Sequence, residues 1–242
     1  MIIYVLAPDE TEFGINRKVA TVGFILKGEE VRLFRPEEIE HIPISKNDIV
    51  FGGIHFAHCA MERLGIPIPA LESIPTELRA FAGRRSWRST MGEVRMCVEK
   101  GEMIFIKPLP ERHKLFGGQL LQSFRDLIPT AGIEDTEQVE CAEPVEFISE
   151  YRSFVVRGEL IGLRHYKGDP LVFPNSQVIR DVICAYRAAP AACAIDFGVT
   201  KGDKTIVVEV NDGYSTVAYG LSPRRYASVI EARWDELRQT AV

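Results

Sequence analysis

Short apolar runs and helical stripes alternate along roughly the first seventy residues. Ile2 to Ala7, Val31 to Phe34 and Asp48-Ile-Val-Phe51 have the length of buried strands and show no polar face. Between them, Asn16 to Lys27 carries Val19, Val22, Ile25 and Leu26 at helical spacing. Ile54 to Leu64 reads as a second helix, entered through Gly52-Gly53 and closed by Gly65. Strands interleaved with helices predict a parallel sheet with crossover helices, an α/β layer over about residues 1–75. The proline-rich stretch from Ile66 to Pro75 reads as the connection at its edge.

The texture then changes. The pattern predicts a helical region over about 76–99, a short strand Met103 to Pro108, a Gly117-Gly118 loop and a helix-like run Gln119 to Leu127. From about residue 139 strands dominate: Val145 to Ile148, Tyr151 to Val156 and Leu160 to Tyr166, the last two joined by a hairpin turn at Arg157-Gly-Glu159. A helix over about 175–188 precedes a second hairpin, Cys193 to Val199 with Thr205 to Val210. The chain closes on a helix, Pro223 to Gln239, with Tyr226, Val229, Ile230, Trp234 and Leu237 as its apolar positions. The fold class expected is α/β (α+β).

Composition narrows the function. Of 242 residues, 46% are hydrophobic and 26% charged, which places the chain among soluble globular proteins. A net charge of -5 argues against a nucleic-acid partner, since a phosphate footprint needs basic excess; only Arg84, Arg85 and Arg88 make a local basic patch. The five cysteines are scattered without a C-x-x-C pair, as free thiols in a reducing compartment would be. The N-terminus reads as a strand rather than a signal peptide, and no apolar run is long enough to span a bilayer. The expected location is cytoplasmic; oligomeric state stays open.

The sharpest chemistry lies in Ile206-Val-Val-Glu-Val-Asn-Asp212. In a strand, positions i and i+2 share a face, so Glu209 and Asn211 project together while Val208 and Val210 are expected in the core. Asp196, across the hairpin, can point into the same space. Two carboxylates and an amide oxygen make the hard donor set that magnesium prefers. A lone E-x-N on a strand is more often an exposed edge, but the flanking valines make this strand read as buried, where an unpaired carboxylate is expensive. Lys107 ends an apolar run, and Lys114 stands before Phe116-Gly-Gly118. Two lysines flanking a glycine loop suit nucleotide phosphates, although the Walker A pattern is absent. Arg152 and Arg164 fall on neighbouring strands, where each is either a phosphate fork or a surface residue.

Taken in order, these pieces resemble the ATP-grasp superfamily over roughly residues 80–242. The residues that carry the resemblance are Phe105-Ile-Lys-Pro108, Lys114-Leu-Phe-Gly-Gly118, Val145-Glu-Phe-Ile-Ser-Glu-Tyr-Arg152, Ala194-Ile-Asp-Phe-Gly198 and Val208-Glu-Val-Asn-Asp-Gly213. The fuller string is similar to a small clade with an extra arginine and a second lysine. The resemblance implies an α/β domain at 1–75 that helps to hold substrate. An ATP-grasp domain would follow at 76–242, in subdomains of about 76–138 and 139–242. It implies ATP and magnesium as cofactors: Lys107 and Lys114 on phosphates, with Gly117 and Gly118 covering them, backbone groups of Glu146, Phe147 and Ile148 on adenine, Glu150 near the ribose, and Asp196, Glu209 and Asn211 on magnesium. The basic residue at the γ-phosphate stays open between Arg152 and Arg164.

The activity so implied is a carboxylate–amine ligase working through an acyl phosphate, with small-molecule or peptide substrates and no membrane partner. Phosphotransfer to a hydroxyl, and a nucleotide-binding module without turnover, are the alternatives. His55-x-x-His58 lacks a third ligand for a metal site. Trp87 among the arginines reads either as an anion contact or as a helix surface. Trp234 and Tyr226 are read as core, and His165 and Lys167 as cleft-lining or exposed.

Overall fold

The parallel layer forms as β1 (Ile2–Leu6), β2 (Glu30–Phe34) and β3 (Ile49–Phe51), bonded in the order β2-β1-β3. Helix α1 (Glu12–Lys27) crosses between β1 and β2, and α2 (Ile54–Leu64) follows β3. α1 begins four residues before the expected Asn16, because the Thr11 side chain caps it by accepting the Gly14 N–H. The computed structural model describes residues 1–70, 72–109 and 115–240.

Two antiparallel sheets follow. The small one joins β4 (Ser86–Thr90), β7 (Gln138–Ala142), β5 (Ile104–Pro108) and β6 (Gln119–Leu121) in the order β4-β7-β5-β6, with α3 (Met91–Glu99) packed on it. The large one has the order β11-β10-β8-β9 and comprises β8 (Phe147–Val156), β9 (Glu159–Gly168), β10 (Ala192–Thr200) and β11 (Thr205–Asp212). Helices α4 (Ser176–Ala185) and α5 (Pro223–Gln239) cover it.

Three expectations are corrected. The helix over 76–99 divides into a 3-10 segment Thr76–Phe81, strand β4 and α3. Pairing with β7, itself unexpected, draws Ser86–Thr90 into the small sheet. The run Gln119 to Leu127 is β6 followed by a 3-10 segment Phe124–Thr130 that contains Pro129, a residue the interior of an α-helix excludes. The two short strands at 145–156 are one strand, β8, and its hairpin to β9 turns through Arg157 and Gly158, both at positive φ (49° and 79°).

A bulge supplies the last correction. The β10–β11 register pairs Asp196 with Glu209 but Phe197 with Val207, so Val208 is an extra residue. Val207 therefore fills the core with Val210 packed beside it, and Val208 stays half-buried instead of pointing inward.

β10 is covered on both faces. Ala192 and Ala194 join Phe154, Tyr226 and Trp234 in a core shared with Ile3, Val5, Phe24 and Phe51 of the parallel layer. Cys193, Ile195 and Phe197 face a second core with Val182, Val207 and Leu78. A strand buried on both sides has no alternation to show, as its sequence Ala-Cys-Ala-Ile-Asp-Phe-Gly-Val-Thr confirms. The small sheet holds a third core around Met91, Ile106, Val139 and Cys141. Among the described residues, no helix is long and apolar enough to cross a membrane.

Burial also sorts the five cysteines. Cys184 is exposed, Cys59 and Cys97 are half-buried, and burial pushes the Cys141 and Cys193 thiols up to about 12. Thiolate is the reactive form, so a maleimide at pH 8 is expected to label Cys184 first and Cys141 and Cys193 only after unfolding. Peptide mass spectrometry over a time course reads the order. Fast labelling of Cys193 in the native protein would contradict the packing of β10.

Candidate active site

Register places the charged positions of the large sheet in one row. Arg152 on β8 lies opposite both Arg164 on β9 and Asp196 on β10, and Asp196 lies opposite Glu209 on β11. Directly opposed residues share a face of the sheet, so four charged side chains emerge together. Glu209 and Asn211 share their face as expected: the Asn211 amide donates to Glu209 Oε1 at 3.0 Å.

Arg152 and Asp196 are 5% and 1% exposed, and they form a bidentate pair. Arg152 Nε donates to Asp196 Oδ1 at 2.7 Å and Nη2 to Oδ2 at 2.6 Å, while Nη1 donates to Thr216 Oγ1 at 3.1 Å. The guanidinium also lies 4.8 Å from the centre of the Tyr219 ring, which stacks on Tyr166. Its Nη2 edge is 3.8 Å from Glu209 Oε1. Burial pushes the Asp196 carboxyl up to about 6 while Arg152 draws it down; burial also works against the Arg152 charge, but the pair with Asp196 outweighs it and holds the guanidinium above its usual range. Two charges this deep persist only when bidentate and further hydrogen-bonded.

Lys107 reaches this row from the small sheet. It ends β5 opposite Glu140 of β7, and its Nζ lies 3.7 Å from Glu140 Oε1 and 3.8 Å from Glu209 Oε2. Glu140 is fixed in turn by the Ser73 hydroxyl at 2.7 Å, and Ser73 accepts through its carbonyl from the Val210 N–H. The two sheets thus meet at one lysine between two carboxylates. Arg84 adds a third cation, donating to the Val208 carbonyl at 2.9 Å, and burial lowers its guanidinium from the usual value. The sequence places Arg84 only in a basic patch, and gives no sign of Tyr219 at the site. Arg84 is one of three arginines in five residues, and Tyr219 owes its place to a positive φ of 42° in the loop after β11.

The other expected positions divide. Arg164 lies across from Arg152 but donates to the Gly220 carbonyl at 3.1 Å, so it holds the same loop that Arg152 grips through Thr216. Glu150 is buried and accepts from Tyr166 at 2.8 Å and Lys167 at 2.6 Å. Glu146 is exposed in an ion pair with Lys201, and the Ile148 carbonyl accepts from the Asp169 N–H. Gly117 and Gly118 lie exposed just before and at the approach to β6, and Lys114 falls outside the described residues.

Phe147 seats on Gly198: a Cβ there would come 2.2 Å from the Phe147 ring. Gly198→Ala is accordingly expected to displace Phe147 and cost about 1–3 kcal/mol by overpacking. Denaturant melts check the cost, and an unchanged midpoint would contradict the packing of Phe147 on Gly198.

Elsewhere, His58 pairs with the Tyr214 hydroxyl at 2.8 Å, and no metal cluster of three or more His, Cys, Asp or Glu residues occurs among the described residues. Arg85 lies 4.8 Å over the Trp87 ring and 3.6 Å from Glu143. Trp234 and Tyr226 are core. His165 packs edge-on against Tyr151, on the strand face opposite Arg152.

Comparison with known families gives a match over residues 81–229 to a model described as an ATP-grasp domain, the second family of its clade. A comparison with curated proteins finds no match. Among solved structures, the chain is similar to a D-alanine–D-alanine ligase from Bacillus anthracis complexed with ATP, at 14% identity, covering 99% of each chain, with a TM-score of 0.62. It is similar to the D-cycloserine synthetase DcsG at 11% identity, covering 98% of this chain and 100% of that one, with a TM-score of 0.60. It is also similar to PsnB, complexed with a minimal precursor, at 14% identity and a TM-score of 0.56, covering 97% of this chain and 99% of that one. Likeness at such identities is likeness of fold.

Proposed function

Since the chain belongs to this ATP-grasp domain family, we propose that it is an ATP- and magnesium-dependent ligase joining a carboxylate to an amine through an acyl phosphate. The observation that carries this reading is the meeting of Lys107 from the small sheet with Arg152, Asp196, Glu209 and Asn211 from the large one. ATP would lie between the sheets, its adenine along Glu146 to Ile148, its ribose near Glu150, and its phosphates toward Lys107, with Lys114 beside the Gly117-Gly118 loop as a second cation. The parallel layer, about residues 1–75, would help to hold the substrate. The names of two similar structures, a D-alanine–D-alanine ligase and an ATP-grasp ligase complexed with a precursor, support a ligase of small molecules or peptides.

The donor set fits magnesium. Glu209 and Asn211 offer a carboxylate and an amide oxygen, hard donors that suit an ion completing its shell with water and phosphate oxygens. When bound, it would neutralise those oxygens. Lys107 would do the same from the other side, and the Nη edge that Arg152 leaves beside Glu209 would help to hold the γ-phosphoryl group in line. A substrate carboxylate oxygen attacks the γ-phosphorus as the bond to ADP breaks. An amine then attacks the acyl carbon, phosphate leaves with the amine's proton, and an amide remains. Positioning and charge neutralisation suffice for such transfer, so no serine or cysteine nucleophile is needed.

A panel of amino acids and short peptides, screened with ATP and magnesium for stimulated ADP release, tests the proposal. ADP, phosphate and an amide in equal amounts support it. A stable phosphorylated product would instead indicate transfer to a hydroxyl, and nucleotide binding without any turnover would indicate a binding module.

A further inference from the structure

Granted that ligase reading, we infer that Asp196 is a positioning residue for Arg152 and not a ligand of magnesium. Both Asp196 oxygens are taken, at 2.7 and 2.6 Å, by a guanidinium that is itself 5% exposed. A dication seated on Asp196 would break two charge-assisted hydrogen bonds and leave a buried arginine unpaired beside it. The guanidinium has nowhere to swing. Thr216 holds Nη1 at 3.1 Å and the Tyr219 ring covers its face at 4.8 Å. Its remaining approach is toward Glu209, 3.8 Å away, on the side where Lys107 also points.

Geometry therefore divides the three acidic and amide groups into two tasks. Glu209 and Asn211 are left for the metal, with phosphate oxygens completing the shell. Asp196, with Thr216 and Tyr219, fixes the guanidinium so that its remaining Nη edge is presented beside Glu209, where the transferring phosphoryl group would lie. Arginine needs such fixing to hold one planar orientation, because its side chain is otherwise free about several bonds. The bulge after Asp196 serves the same end, since it resets the phase of β11 so that Glu209 stands opposite Asp196 while Val207 returns to the core.

The test is Mn²⁺ binding in the presence of ADP, read by electron paramagnetic resonance on the whole protein, together with kcat. The charge-neutral pair Arg152→Met with Asp196→Leu is expected to bind Mn²⁺ with ADP within about three-fold of the unaltered protein, and to lose at least about 100-fold in kcat. Glu209→Gln is expected to lose the Mn²⁺ signal. Because Asp196 acts through Arg152, the two single replacements and the pair should lower kcat by similar factors rather than multiplying. If the pair abolishes Mn²⁺ binding as fully as Glu209→Gln, Asp196 is a ligand and the inference falls.

Should the pair fail to fold, Tyr219→Leu provides a second arm, since Tyr219 is 38% exposed. It is expected to lower kcat about ten-fold with Mn²⁺ affinity unchanged, and an unchanged kcat would overturn the positioning role. If the unaltered protein binds no Mn²⁺ with ADP, the ligase reading itself fails, which is a different result.

Discussion

Glu209→Gln is expected to lower kcat/KM for ATP turnover by about 10²–10³, equivalent to about 3–4 kcal/mol of transition-state stabilisation, with little change in melting temperature. The variant keeps the size of the side chain and an amide oxygen, and removes only the charge. Structurally that charge is cheap to lose. The Glu209 side chain is 37% exposed, its partners Arg152 and Lys107 stand 3.8 Å away, and each has a second carboxylate, Asp196 or Glu140. Functionally it stands beside Asn211 and Lys107, 3.8 Å from the Arg152 edge rather than locked in a bidentate pair. Raising the magnesium concentration should recover part of the loss, as a weakened metal site requires. Steady-state ADP release at several magnesium concentrations checks this. A loss independent of magnesium would place the defect in the fold rather than at the metal.

The second large effect is on stability, and it arises from a different buried pair. Arg233 on α5 donates to Asp212 at the end of β11 through Nε and Nη2, both at 2.8 Å, and to Glu236 through Nη1 at 2.5 Å. The Asp212 side chain is 3% exposed, and burial raises its carboxyl while Arg233 pulls it down. Arg233→Met strands that carboxylate and is expected to cost about 3–5 kcal/mol, or about 10 °C in melting temperature. The sign with pH follows. Without Arg233 the folded-state pKa of Asp212 rises further above its unfolded value near 3.8, so the folded state holds a proton that the unfolded state has released. Stability of the variant then falls as pH rises from about 4, and its deficit against the unaltered protein is smallest in acid and largest at neutral pH. Urea melts at pH 4.5 and pH 7.5 read the difference. Adding Asp212→Leu to Arg233→Met should restore most of the loss, whereas no recovery would mean that packing, not charge, is responsible.

Legibility followed the range of the interactions. β1, α1, α2 and α5 were readable because a period of 3.6, an unbroken apolar run and the glycine closure at Gly65 are local signals. β4 and β7 were not, since Ser-Trp-Arg-Ser-Thr and Gln-Val-Glu-Cys-Ala become strands only by pairing with each other across about fifty residues. At the site, the shared face of Glu209 and Asn211 follows from the two-residue period of a strand alone. The division of labour between Arg152 and Arg164 does not. It depends on which strand lies beside β8 and on the loop after β11 presenting Thr216, Tyr219 and the Gly220 carbonyl. The inward turn of Val208 failed for a related reason, because a bulge leaves no mark in the apolar pattern that surrounds it.

In the proposed reaction a phosphoryl group passes to a carboxylate in the space between Lys107, Arg152 and Glu209. The direct measurement is to supply the substrate panel with ¹⁸O in the carboxyl groups and to weigh the phosphate released with ADP. One ¹⁸O atom in the phosphate for each amide formed is the expected result. Unlabelled phosphate alongside the amide would mean that the carboxylate never carried the phosphoryl group, and would contradict the account.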